Sequence, residues 1–142
     1  MFEVTKTKDK PARDRQTLVG DDYLLLFVRI CLATIFIWSG INKILAPVAT
    51  QANMSAHGMP FTLFFLIGAI ALEILGGLSV LLGIKPRWGA AMLIVFLVPA
   101  TLIFHHNLTT ELEQAMFLKN LAMLGGLLTL IRDGGGAIAL FR

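Results

Sequence analysis

The chain has 142 residues, of which 56% are hydrophobic and only 15% are charged, with a net charge of +3 and a mean hydropathy of +0.78. A soluble domain carries about 25% charged residues, so this composition excludes an ordinary soluble protein and indicates one integral membrane domain. The single cysteine, Cys31, excludes an internal disulfide, a CxxC redox pair and a cysteine metal cluster.

The N-terminus is the most densely charged stretch of the chain. Ten charged side chains lie between residues 3 and 22. We therefore divide the chain into a polar arm, residues 1–20, and a transmembrane domain, residues 21–142. The arm is not a signal peptide, because it is long, of mixed charge and followed by a full-length span. We expect a solvated tail that anchors the topology, with a docking arm for a cytoplasmic partner or anionic lipid as the alternative.

Four apolar segments follow, each close to the roughly 20 residues that a helix needs to cross about 30 Å of hydrocarbon. They cover residues 23–45, 61–84, 88–104 and 114–131. Apolar side chains surround each segment, whereas a soluble amphipathic helix carries them on one face. We therefore predict an all-α integral membrane protein built as a four-helix bundle.

Capping and breaking residues mark the ends of these segments. Asp21 and Asp22 precede the first one as N-cap candidates. The stretch GIKPRWG, residues 83–89, predicts a tight hairpin with Gly83 as helix terminator and Pro86 as breaker. The second and third helices are therefore expected to be antiparallel neighbours. Further breaks are expected at APVAT (46–50), HGMP (57–60) and DGGGA (133–137).

Lysine and arginine residues are concentrated on one side of the predicted bundle. The arm, the hairpin and the C-terminal tail lie on that side and hold Lys6, Lys8, Lys10, Arg13, Arg15, Lys85, Arg87, Arg132 and Arg142. The opposite side has only Lys43 and Lys119, at helix edges. The positive-inside rule therefore predicts that both termini are cytoplasmic.

Three ionisable residues within the spans are the most informative, because such groups are costly in hydrocarbon and are usually paired or functional. Glu73 lies near the middle of its span, with Arg29 about 7 Å and Lys119 about 6 Å from the middle on opposite sides. We favour a Glu73–Arg29 ion pair, since arginine offers a bidentate fork and is weakly hydrated. Two alternatives stay open. Glu73 handles a proton or a ligand, or it is protonated while both bases snorkel to the nearer interface.

A second group of polar residues lies towards the non-cytoplasmic end. It comprises Trp38, Asn42, Lys43, His105, His106, Asn107, Lys119 and Asn120. Imidazoles beside an interface suit a quinone carbonyl, a proton relay or a metal. Adjacent helical residues point about 100° apart, so His105 and His106 cannot chelate one ion together. We predict ordinary interfacial histidines and no metal site, with contact to a quinone or another small ligand as the alternative. No catalytic residue is predicted.

Small residues recur inside the predicted helices, where they let helix backbones approach closely in a membrane. They include Gly40, Gly76, Gly77, Ala90 and Gly126. We interpret them as packing residues.

Several of these stretches together resemble a known family. Arg29 is followed by FIWSGINKI (36–44), ALEILGGLSVLLGIKPRWGAAML (71–93), HHN (105–107) and FLKNLAMLGGLLTL (117–130). The combination is similar to the DoxX family of small bacterial membrane proteins, over about residues 20–140. The resemblance implies a four-helix protein of the bacterial inner membrane. The family pattern falls here on Arg29, Gly40, Lys43, Glu73, Lys85, Arg87, Lys119 and Asn120.

The resemblance also implies a role. The family takes its name from a subunit of a thiosulfate:quinone oxidoreductase, and some members are linked to membrane redox complexes. We therefore expect a non-catalytic inner-membrane subunit of a redox complex. Its partner would carry the electrons, because this chain has no cofactor motif. The alternatives are a structural or assembly protein, or a small proton-coupled transporter that uses Glu73.

The expected contacts follow from the same interpretation. We predict no resident cofactor, with quinone as the one ligand left open. The expected partners are the lipid bilayer and either a redox-complex subunit or further copies of this chain, and no nucleic acid. The candidate ligand-binding or ion-pair residues are Arg29, Lys43, Glu73, His105, His106, Lys119 and Asn120.

Overall fold

The computed structural model describes residues 15–141, and within them the chain forms five α-helices. They are α1 (Arg15–Leu45), α2 (Pro47–Ala56), α3 (Thr62–Leu82), α4 (Pro86–Phe104) and α5 (Glu111–Asp133). Helices α1, α3, α4 and α5 are long and apolar enough to cross a membrane. The predicted all-α architecture with four spans is therefore confirmed for the described residues. Residues 1–14 of the predicted polar arm lie outside them.

Two predicted helix boundaries are wrong. Helix α1 begins at Arg15, so Asp21 and Asp22 lie inside it and do not cap it. Residues 46–50, predicted as a break, lie mostly in the short helix α2. A proline fixes φ at a helical value but disfavours the helical conformation in the residue before it. Pro47 therefore keeps Ala46 out of the helical conformation, so that α1 ends at Leu45, and it starts α2 as its first residue.

The four spans alternate in direction, which gives the bundle two different ends. The end that we call the tail end contains the start of α1, the α3–α4 hairpin and the tail segment, residues 134–141. The other, which we call the histidine end, contains α2 and the α4–α5 loop, residues 105–110. The N-terminal end of α1 and the C-terminal end of α5 therefore lie at the same end of the bundle.

The spans pack in a curved row, with α3 between α1 and α4, and with α5 on α4 and in shorter contact with α1. The closest crossing is that of α3 with α4. A Cβ placed on Gly89 would lie 2.5 Å from Ser79 Oγ and 2.9 Å from the Gly76 carbonyl oxygen. The packing role predicted for the small residues is thus confirmed there. The apolar core includes Leu32, Phe36, Val80, Leu93, Leu97, Leu127 and Leu130.

The predicted hairpin between α3 and α4 is confirmed, and it holds the tail segment. Gly83 ends α3 with φ at 71°, the left-handed conformation that glycine adopts without steric cost. The Lys85 N–H donates to the Phe141 carbonyl at 3.0 Å, and the Phe141 N–H donates to the Gly83 carbonyl at 3.1 Å. These bonds attach the last residues of the chain to the hairpin.

Candidate functional site

The antiparallel contact of α1 with α3 decides which buried polar groups can meet. A Cβ on Gly40 would lie 3.4 Å from Glu73 Cβ, and one on Gly77 would lie 2.7 Å from Ile37 Cγ1. Gly40 is therefore level with Glu73, and the two helices run in opposite directions from that point. Lys43 follows Gly40 by one turn, whereas Arg29 precedes Gly40 by about 16 Å along the helix axis.

Glu73 forms an ion pair with Lys43. The Lys43 Nζ lies 2.9 Å from Glu73 Oε2 and donates to Oε1 at 3.2 Å. The same Nζ donates to Ser39 Oγ at 2.7 Å and lies 5.3 Å from the centroid of the Phe96 ring, within the range of a cation–π contact. The Glu73 side chain is 1% exposed and the Lys43 side chain 19% exposed. A buried carboxylate is thus neutralised by a lysine that still reaches the surface.

The expected pairing of Glu73 with Arg29 is not the one in the structure, and it must be corrected. The depth estimate assumed that the middles of the two spans lie at one level, but the glycine contacts place Gly40, near the C-terminal end of α1, level with the acid. Lys119, the second expected base, is exposed and places its Nζ 3.3 Å from Met116 Sδ. It belongs to α5, which packs mainly on α4, so it cannot neutralise an acid between α1 and α3.

Arg29 is 1% exposed and binds backbone carbonyls, so it does not snorkel to an interface either. Its guanidinium donates four hydrogen bonds of 2.7–2.9 Å, to the carbonyl oxygens of Val80, Leu81, Gly135 and Ile138. Val80 and Leu81 belong to the last turn of α3, where carbonyls lack partners within the helix and carry the negative end of its dipole. The buried positive charge therefore caps α3 and holds the tail segment.

The remaining carbonyls of this helix end are satisfied as well. Ser79 accepts from the N–H groups of Gly83 and Ile84, and Leu82 accepts from the Leu140 N–H at 3.3 Å. Asp22 lies two turns before Arg29, on the same face of α1, and its Oδ1 accepts from the Ala137 N–H at 2.7 Å. Helix α1 therefore binds the tail segment through an acid and a base.

The histidines do not form a common cluster. His105 Nδ1 lies 2.9 Å from Glu113 Oε2, whereas His106 Nδ1 contacts a backbone carbonyl one turn earlier. The His57 ring, from the α2–α3 connection, packs on the Phe104 ring with centroids 4.8 Å apart. Among the described residues, no group of three or more His, Cys, Asp or Glu side chains could hold a metal ion. The His105–Glu113 contact joins the end of α4 to the start of α5.

Asn120 connects the same two helices. It is 8% exposed, and its Nδ2 donates to Thr101 Oγ1 at 2.9 Å. Thr101 in turn donates to the Leu97 carbonyl at 2.7 Å. The pair lies beside a groove of about 140 Å³ that apolar side chains of α4 and α5 line. Interhelical bonds of this kind stabilise a membrane bundle modestly.

Comparison with known proteins places the chain in a family. The DoxX family model matches residues 24–106, which is more than half of the chain. The chain belongs to the DoxX family. Two Escherichia coli K12 proteins align with this DoxX protein over most of its length. Inner membrane protein YqjF is 36% identical over 122 residues, which cover 86% of this chain and 92% of YqjF. Inner membrane protein YphA is 31% identical over 124 residues, which cover 84% and 89% respectively.

No solved structure matches this DoxX protein. Its similarity to inner membrane proteins agrees with four helices that are able to span a membrane. The chain is therefore a multi-pass protein of the inner membrane, in contact with lipid.

Two features of the DoxX site were readable in the sequence but were missed. Ser39 and Lys43 are four residues apart, a spacing that places side chains together on one helix face. The three glycines at 134–136 indicate a backbone that must approach other groups closely. The contacts of Asp22 and Phe96 had no local signal, because their partners are more than 50 residues away in the chain.

One group of this site, the Glu73 carboxylate, is a candidate for chemistry as well as for packing. Glu73 Oε2 is buried and lies 2.9 Å from the Lys43 Nζ, which neutralises its charge. Protonation of the carboxylate would therefore remove this ion pair. Arg29, by contrast, uses its donors on four carbonyls.

Proposed function

We propose that this DoxX protein is a non-catalytic membrane subunit of a redox complex, linked to quinone, in which a partner carries the electrons. The observation that supports a non-catalytic role is that the two most buried charged side chains both have partners within the chain. Arg29 and Glu73 are each 1% exposed, and groups of the chain itself bind both of them. A bundle that satisfies its own buried charges is suited to support a partner. The redox character of that partner rests on the family resemblance.

The outer faces of the spans leave room for such a partner. Large apolar side chains are exposed on every span, among them Phe27, Leu63, Phe64, Val95, Leu102, Leu118 and Leu121. Lipid covers apolar side chains as well as protein does, so association in a membrane depends on close packing and polar contacts.

Isolation from native membranes tests the proposal. The tagged chain is expressed at its natural level and purified in mild detergent, and the preparation is examined by reduced-minus-oxidised spectroscopy and by organic extraction of quinone. We expect a stoichiometric partner with a redox cofactor, and electron transfer to a quinone analogue. A preparation with neither a redox-active partner nor quinone would contradict the redox role and leave a structural or assembly role.

A variant tests whether Glu73 stabilises the complex or takes part in its electron transfer. Glu73→Gln is compared with Lys119→Gln, which alters an exposed base. If the subunit is non-catalytic, electron transfer per assembled complex is equal in both variants, and Glu73→Gln lowers only the amount of complex. A lower turnover at an unchanged amount of complex would show that Glu73 takes part in the chemistry.

A second candidate is a proton-coupled transporter that uses Glu73. It is supported by the burial of Glu73 beside Lys43, which is 19% exposed and connects the buried acid to the surface. The purified protein is reconstituted into liposomes that contain a pH-sensitive dye. Proton flux that Glu73→Gln abolishes, and that Lys119→Gln leaves intact, supports transport. Flux at the level of empty liposomes excludes it.

A further inference from the structure

A crevice of about 930 Å³ opens at the tail end, at the opposite end of α1 from Lys43. It lies between the start of α1, the start of α4 and the tail segment. Its lining contains three bases and three acids, namely Lys85, Arg87, Arg132, Asp21, Asp22 and Asp133. The lining is thus rich in charge but has no net charge.

Only some of these charged side chains have partners within the described residues. Arg132 and Asp133 bind each other through two hydrogen bonds of 2.7 and 2.8 Å. Arg87 makes one long bond of 3.3 Å, to the Arg132 carbonyl. Within the described residues, the side chains of Lys85 and Asp21 make no hydrogen bond or ion pair. Among the described residues, Lys85 and Asp21 are therefore available to a ligand, and Arg87 is held by one long bond only.

The available charges of opposite sign lie on different sides of the crevice. A Cβ on Gly134 would lie 3.4 Å from Arg87 Nε, and one on Gly136 would lie 3.0 Å from Asp22 Oδ1. Those two glycines are at most about 7 Å apart along the backbone. Asp21 precedes Asp22 in α1, whereas Lys85 precedes α4 on the Arg87 side. The crevice therefore presents a basic wall towards α4 and an acidic wall towards α1, with the tail segment between them.

The position of the crevice corresponds to the level of lipid headgroups. Helix α4 begins at Pro86 and α5 ends at Asp133, so the spans leave the hydrocarbon here. Trp88 lines the crevice and is 72% exposed, and Tyr23 on the same end is also exposed. Exposed tryptophan and tyrosine at the ends of spans mark the membrane–water interface.

We propose that this crevice binds the headgroup of a zwitterionic phospholipid that carries an amine. The phosphate lies against Lys85 and Arg87, the ammonium group lies against Asp21 and Asp22, and the acyl chains follow the apolar side chains of Leu24 and Trp88. An anionic lipid without an amine leaves the acidic wall unneutralised, and free phosphate lacks the apolar contact. The site is independent of the function proposed above, because it lies at the other end of the bundle from Lys43 and Glu73.

Lipid titration tests the site. The delipidated protein in detergent is titrated with phosphatidylethanolamine, phosphatidylglycerol or inorganic phosphate. Binding is followed by native mass spectrometry and by Trp88 fluorescence in a Trp38→Phe background. We expect at least tenfold tighter binding of phosphatidylethanolamine than of phosphatidylglycerol. Lys85→Gln should weaken both lipids at least fivefold, whereas Asp21→Asn should weaken phosphatidylethanolamine alone. Lys119→Gln and Glu111→Gln, at the histidine end, should change neither.

Three outcomes would overturn the proposal. The first is equal affinity for the two lipids, and the second is that no lipid is retained. The third is that inorganic phosphate displaces the lipid and shifts Trp88 fluorescence as much as the lipid does. Lys85 and Asp21 are chosen because their side chains make no hydrogen bond or ion pair among the described residues, so folding should be retained. If a variant nevertheless aggregates on size exclusion, the preference of the unmodified protein between the two lipids decides the matter.

Discussion

Lys43 Nζ lies 2.9 Å from Glu73 Oε2, while Arg29, which precedes it in α1, donates hydrogen bonds to the carbonyls at the end of α3. Both bases face α3 from α1, but at levels about 20 Å apart along the helix. The antiparallel register therefore gives one base an acid to neutralise and the other a helix end to cap. The following predictions test this division.

Removing Lys43 should destabilise the bundle more than removing Glu73. Lys43→Gln leaves the buried carboxylate without a counter-charge, and breaking a buried ion pair costs about 3–5 kcal/mol. Glu73→Gln should cost less, because the lysine stem can snorkel and carry its ammonium group to the surface. The double variant should recover part of the loss. Unfolding in detergent, followed by circular dichroism, measures all three.

The same measurement distinguishes Arg29 from Lys43. Arg29→Gln and Glu73→Gln should add within about 0.3–0.5 kcal/mol, as for sites that share no partner. A coupling clearly above that range between Arg29 and Glu73, together with none between Lys43 and Glu73, would contradict the observed pairing.

Arg29→Lys should release the tail segment. A lysine presents its donors from a single atom and cannot reproduce the planar fork of arginine, so it cannot reach the α3 carbonyls and those of Gly135 and Ile138 together. Hydrogen exchange at the amides of Ala137 and Leu140 should become at least about tenfold faster, as expected when the opening free energy falls by about 1.4 kcal/mol. Arg132→Lys, on the exposed surface, is the control, and equal exchange in both variants would refute the capping role.

Two glycine variants should have opposite effects on stability. Gly89→Ala places a methyl group 2.5 Å from Ser79 Oγ and 2.9 Å from a backbone oxygen, so α3 and α4 must separate, at a cost of about 1–3 kcal/mol. Gly125→Ala meets no atom within 4 Å and should stabilise α5 by up to about 1 kcal/mol, because alanine favours the helix. Melting temperatures in one detergent compare the two, and a neutral Gly89→Ala would argue against the close crossing.

Asn120→Leu should weaken the contact of α5 with α4 only slightly. Interhelical hydrogen bonds in a membrane are worth about 0.6 kcal/mol on average and reach about 1.7. Thr129→Val is the matched control, since the Thr129 hydroxyl bonds only within its own helix, to the Gly126 carbonyl. A loss clearly above 2 kcal/mol for Asn120→Leu would indicate a larger role than that of one interhelical bond.

The sequence by itself determined that this is an integral membrane protein with four spans, a hairpin at Gly83 and close contacts between helices. These features depend on local signals. The length of an apolar run, a glycine at a helix end and a proline after it act through neighbouring residues, whatever the rest of the chain does. The family could be recognised for the same reason, because its motifs are short stretches. The assignment of both termini to the cytoplasm is of the same kind and stays a prediction from charge.

Only the tertiary structure decided which groups meet. All members of the pair and the cap, namely Lys43, Glu73 and Arg29, were candidates from the sequence, but the acid was assigned to the wrong base. Each residue of error in register moves a side chain by about 1.5 Å along the axis, and the depth estimate had aligned the middles of two helices whose contacts are offset. Gly40 against Glu73 and Gly77 against Ile37 set that register. Contacts between helices, and not the depth of a residue in its own span, therefore select the partner of a buried charge.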